Sequence, residues 1–198
     1  MRVLPKSATV IFAALLCSGS ALGAERGWVV LAGGGSIEPS ERSSLRSGTT
    51  ASLAVAHVTR PWLLIGGEFG WTGTPGVQGA SIPEVRVTRD DTRAYAVSAV
   101  VRLQVPVRVG PAPFALFESG FTRLRWGAVH YDGSNSGYLY VNGVTPGEVQ
   151  WGSRMAVGAG LRAVIPGAWP DPEVSARAVT LGLEHQQNFA EYRYSLAW

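Results

Sequence analysis

The chain has 198 residues, of which 46% are hydrophobic, 16% charged and 10% aromatic, with 25 Gly and 12 Pro. That much apolar content with a formal net charge of only +3 excludes a disordered chain, and Gly without a three-residue period excludes collagen. Residues 7–24 are the only approach to a continuous apolar run, which excludes a polytopic helical membrane protein.

The N-terminus reads as a secretory signal peptide. Arg2 and Lys6 form its basic region, 8–16 its apolar core, and Ala21-Leu22-Gly23 its small-residue cleavage motif, so residues 1–24 are expected to be removed. An uncleaved anchor helix and a lipoprotein acylated at Cys17 are the weaker alternatives. The mature chain, 25–198, then has no Cys and no Lys, and 15 Arg against 14 acidic residues. No disulfide framework is possible, and no basic patch argues for nucleic acid.

In chain order, turn-forming residues divide the mature chain into eight segments: about 27–34, 48–59, 62–73, 93–107, 113–127, 149–165, 174–187 and 189–198. None has a 3.6-residue period. The clearest alternates by two: Tyr95, Val97, Ala99, Val101, Leu103, Val105 and Val107 lie on one face, and Ala96, Ser98, Val100, Arg102, Gln104 and Pro106 on the other, mixed or polar one. The segment 151–165 behaves alike, with Met155, Val157, Leu161 and Ile165 opposite Arg154, Gly158, Gly160 and Arg162. Small residues with isolated charges suit a narrow barrel interior better than a watered surface, which would carry more Lys and Glu.

The connections alternate in length. Segments 35–47, 74–92 and 132–148 are long; 59–62, 108–112 and 166–173 are shorter; only the final connection, near 187–189, breaks the rhythm. Tight turns at one end and long loops at the other are the asymmetry of outer-membrane barrels. Aromatic residues mark both strand ends: Trp28, Trp62, Phe114 and Trp198 at one, Trp71, Tyr95, Trp151 and Tyr192 at the other, as in interfacial girdles.

The last strand carries Tyr192, Tyr194, Leu196 and Trp198 on one face. This ending resembles the assembly signal of bacterial outer-membrane proteins, although Phe is the more usual last residue. With the signal peptide and eight alternating strands, the mature chain resembles the small eight-stranded barrels of the OmpA, OmpX and opacity type. The resemblance implies an all-β, eight-stranded antiparallel up-and-down transmembrane β-barrel in the bacterial outer membrane. It also implies a monomer that meets outer-membrane lipid, lipopolysaccharide and the barrel-assembly machinery, with no cofactor. Its role is then structural, adhesive or surface-interacting through the long loops, where Arg86, Arg89, Asp90, Asp91, Tyr138 and Tyr140 stand.

Extending the alternation points Glu68, Arg102, Glu118, Arg154, Arg162, Glu184, Glu191 and Arg193 inward, as a charge network that fills the lumen. Glu68 and Arg102 are expected at similar depth and to pair directly or through one shared partner. Arg123 and Arg125 fall near the outer membrane edge, within reach of lipopolysaccharide phosphates.

His57, His130 and His185 lie on separate segments without metal-ligand spacing, so no metal site is expected. Gly33-Gly34-Gly35 lacks the Lys of a phosphate loop. The stretch Glu184-His185-Gln186-Gln187-Asn188 is similar to the His-x-Ser-Asn element of outer-membrane lipid A deacylases at His185 and Asn188. It departs at Gln187, where the nucleophilic Ser would stand, and a His base without a hydroxyl cannot run acyl transfer. A deacylase with His185 and Glu184 is therefore the enzyme alternative. The binding-protein alternative is a soluble lipocalin-like barrel, whose large apolar side chains would point inward and charges outward.

Overall fold

The computed structural model describes residues 27–41, 43, 45–82, 85–133, 143–167 and 170–198, with the side chains of 77–86 left aside. The expected signal peptide at 1–24 and the loop residues Tyr138 and Tyr140 lie outside the described residues.

Among the described residues, twelve strands form two sheets. Eight of them close a barrel: β1 (Trp28–Pro39), β2 (Gly48–Arg60), β3 (Leu63–Thr74), β6 (Thr92–Gln104), β7 (Gly110–Arg125), β10 (Val149–Val164), β11 (Asp171–Gly182) and β12 (Gln187–Ala197). Every neighbour is antiparallel, and β12 closes on β1 from Leu31↔Ala197 to Pro39↔Phe189. The remaining four, β4 (Val77–Ile82), β5 (Val85–Arg89), β8 (Val129–Gly133) and β9 (Gly143–Thr145), form a second sheet beyond the barrel end remote from the termini.

The barrel is inside-out relative to a soluble protein. Its outer face exposes Leu53, Ile65, Phe69, Val97, Phe121, Met155 and Val157, and its interior buries Glu118, Glu191 and Arg193 to 2% exposure or less. Strand alternation sorts the two sets: along β7, Ala112, Phe114, Leu116, Glu118, Thr122 and Leu124 are buried while Phe117 and Phe121 face out. Large apolar patches on this scale are unfavourable in water and favourable in hydrocarbon. It is the reverse of the lipocalin-like arrangement.

Several boundaries differ from those read in the sequence. β1 runs on through Gly33-Gly34-Gly35 to Pro39. At Gly35 a Cβ would run into the carbonyl of Tyr192, so absence of a side chain is what lets the closing strands approach. The final outer connection is the turn 183–186, because β11 stops at Gly182 and polar Glu184-His185-Gln186 cannot continue a lipid-facing strand. The segments read as loops at 74–92 and 132–148 contain β4, β5 and β9, and β8 runs into the second of them; β4–β5 and β8–β9 pair locally, but the two pairs join through partners remote in sequence, as in Thr88↔His130. Phe114 is buried in the lumen and does not belong to the girdle.

Candidate functional site

The lumen is built from one inward residue at a time. Glu68 projects from β3, Glu118 from β7, Arg154 from β10, Arg177 from β11, and Glu191 and Arg193 from β12. These six close a ring of alternating charge. Arg177 bonds Glu68 (3.0 Å) and Glu118; Arg154 bonds Glu118 (3.3 Å) and Glu191 (3.1 Å); Arg193 bonds Glu191 (2.8 Å) and Glu68. None of the six side chains is more than 8% exposed. Each carboxylate meets two guanidinium groups and each guanidinium two carboxylates, which is how buried ions escape the cost of being unpaired. The Thr50 hydroxyl also donates to Glu191 Oε1 at 2.6 Å.

Nearer the short-turn end, Arg102 bonds Glu173 across the lumen at 2.8 Å and lies 3.7 Å from the centre of the Phe114 ring. The Ser195 hydroxyl donates to the other Glu173 oxygen at 3.2 Å. Arg162 bonds Asp171 at 2.8 Å. Glu68 and Arg102 neither pair directly nor share an ion-pair partner: Arg102 bonds Glu173, and Glu68 bonds Arg177 and Arg193. The ladder sets Glu68 opposite Ser98 and Arg102 opposite Leu64, a difference of four positions or ~13 Å along the strand. Alternation within a strand carries no register between strands, and the ladder is what fixes their depth. Glu184 is also not in the lumen but in the exposed 183–186 turn. The inward residues of β11 are the odd ones, so Asp171, Glu173 and Arg177 join the network. The signal for them was present, since charged Glu173 and Arg177 share a parity, but both faces of β11 carry Val or Ala and hid it.

Above the ring the lumen is apolar. Ile37, Leu124, Val179, Leu181 and Phe189 pack together with Leu45, which folds in from the β1–β2 connection. The Ser43 hydroxyl donates to Gln187 Oε1 (2.9 Å) and accepts from the Leu45 N–H (3.1 Å), fixing this plug. Between plug and ring lies a cavity of ≈10 Å³ bounded by Thr72, Thr92, Thr122, Arg154 and Arg193. That is room for about one water.

No protein-family model and no curated protein matches this sequence. Solved structures are similar in shape. Neisserial surface protein A superposes with a TM-score of 0.54 at 13% identity, over 88% of this chain and 98% of that one. This chain has the fold of the small eight-stranded outer-membrane barrels. The attachment invasion locus protein of Yersinia pestis, solved with the heparin analogue sucrose octasulfate, follows with a TM-score of 0.49 at 12% identity, over 88% of this chain and 100% of that one. The N-terminal barrel of Pseudomonas aeruginosa OprF has a TM-score of 0.45 at 11% identity, over 89% and 100%.

The outer rim holds the other predicted residues. Arg123 and Arg125 face outward at the end of β7, and Arg123 lies 5.8 Å from the Trp151 ring centre. Arg93, not singled out in the sequence, sits directly opposite Arg125 on β6. On β12, Tyr192, Tyr194 and Leu196 all face outward, and Trp198 exchanges two backbone hydrogen bonds with Val30 (2.9 and 3.1 Å) at the barrel seam. His130 lies 3.2 Å from Asp90. His185 lies in its exposed turn, and the turn residues 183–186 carry no hydroxyl side chain.

Proposed function

We propose that this chain is an integral outer-membrane protein whose barrel is a sealed anchor and whose working surface is the sheet and rim outside it. The observation that carries this reading is the lumen: an ion-paired ring and an apolar plug occupy the space a channel would need. The outward band of Phe, Leu, Val and Met gives the barrel a hydrocarbon-facing wall, and the closed ladder has no free edge for a second copy to extend. The function is surface interaction, with adhesive or structural consequences. The rim residues Arg123 and Arg125 stand where lipopolysaccharide phosphates lie, and the barrel-assembly machinery is the partner that reads Tyr192, Tyr194, Leu196 and Trp198.

Cysteine labelling tests location and orientation together, because the chain has one Cys, at position 17 in the expected signal peptide. Val144→Cys on β9 and Val109→Cys at the opposite end both replace exposed side chains (62% and 63%). A membrane-impermeant maleimide should label position 144 in intact cells and position 109 only after lysis. Labelling of both in intact cells, or release of the protein from membranes without detergent, overturns the reading. In planar bilayers the wild-type barrel should show no steady conductance.

A further inference from the structure

On the outer wall, Arg93 and Arg125 are direct cross-strand partners and both are exposed. Like charges directly opposite each other destabilise a sheet. Their own row offers no relief, because the next residues across the ladder are Gly73 beside Arg93 and Val149 beside Arg125. Neither arginine has an ion pair among the described residues. The conflict stands at the floor of an open cleft of ≈880 Å³ between the barrel rim and the base of the outer sheet. Arg89 enters the same cleft from β5, 5.6 Å from the Trp126 ring centre, and backbone of Gly127 and Gly147 completes the wall. Asp90 and Asp91 also line it, but both are engaged: Asp91 Oδ1 accepts the Gly76 N–H at 2.9 Å, and Asp90 Oδ2 lies 3.2 Å from His130 Nε2.

We propose that this cleft binds a phosphorylated sugar, with Arg93 and Arg125 holding one phosphate between them. The inference rests on the outer-membrane reading for its setting but on the cleft for its chemistry. Guanidinium groups match phosphate oxygens in geometry and charge, and a shared dianion turns a repulsive pair into two attractive ones. A volume of this size exceeds a lone phosphate and falls within the range of small-ligand sites. The position, one step outside Trp151, Tyr95 and Arg123, is the level of lipid headgroups, so a membrane glycolipid and a soluble sugar phosphate share the required chemistry.

The test uses the protein purified from membranes in detergent and three probes: lipid A with two phosphates, the same lipid after phosphatase treatment, and glucose 1,6-bisphosphate. Wild type should bind the phosphorylated probes and discriminate against the dephosphorylated lipid. R93Q/R125Q should weaken that binding tenfold or more, whereas R60Q/R108Q, at the opposite end of the barrel, should not. Much tighter binding of lipid A than of the sugar bisphosphate identifies a headgroup as the source; equal binding identifies a soluble ligand. Unchanged affinity in R93Q/R125Q, or equal affinity for the dephosphorylated lipid, overturns the proposal. A second measurement does not depend on affinity. Without any phosphate present, R125Q alone should raise the unfolding midpoint by removing the repulsion, and a lowered midpoint counts against it. The binding assay is carried out in detergent, so its failure is distinct from failure of the surface-labelling experiment.

Discussion

The pairing of Arg102 gives a direct measure of the lumen geometry. Glu173 is its one carboxylate partner among the described residues, at 2.8 Å, with side chains 5% and 4% exposed. Removing one member of such a buried pair costs about 3–5 kcal/mol, because the survivor stays desolvated and uncompensated. Here the survivor keeps the Phe114 ring at 3.7 Å, which offsets up to ~2 kcal/mol. Glu173→Leu should therefore destabilise the barrel by about 1–5 kcal/mol. Arg102→Met added to it should restore much of the loss, giving a coupling energy of about 2–3 kcal/mol in a double-mutant cycle. The matching cycle between Arg102 and Glu68 should give about 1 kcal/mol or less, since Glu68 is bonded to Arg177 and Arg193 instead. The assay is reversible urea unfolding in lipid vesicles, followed by tryptophan fluorescence. A coupling of Arg102 to Glu68 as large as that to Glu173 would refute the register argument and the assignment of odd residues of β11 to the interior.

The ring makes a contrasting prediction: Glu118→Gln should cost less than Glu173→Leu despite deeper burial, because Arg154 retains Glu191 and Arg177 retains Glu68; the same unfolding assay orders the two. Deleting Trp198 removes both hydrogen bonds to Val30 at the seam and should leave protease-sensitive chains lacking heat-modifiable migration; normal migration would count against a role in closure. Val97→Arg, on the outward face beside the middle of β6, should cost roughly 2–4 kcal/mol in bilayers if that face meets hydrocarbon, and wild type should refold only when lipid or detergent is supplied. Gly35→Val should hinder closure of β1 on β12, visible as loss of the folded band, since its Cβ would meet the Tyr192 carbonyl.

The architecture was legible in the sequence because a strand writes its two environments in alternate residues. Tyr95 to Val105 shows a lipid face and a lumen face without any knowledge of its neighbours, and so do Met155 to Ile165. Lumen membership of Glu68, Arg102, Glu118, Arg154, Arg162, Glu191 and Arg193 follows from that parity alone. Parity is ambiguous where both faces carry apolar residues, as Val174 and Val179 do in β11, and where a strand ends early, as β11 does before Glu184. Partnership is a different quantity. It depends on register and on reach across the lumen, and Arg102 meets Glu173, 71 residues away in sequence, because barrel closure sets β6 and β11 across from each other. The closed ring, the Leu45 plug and the facing pair Arg93 and Arg125 share this origin. Each joins residues that no local pattern links, and only the closed ladder of eight strands decides which of them meet.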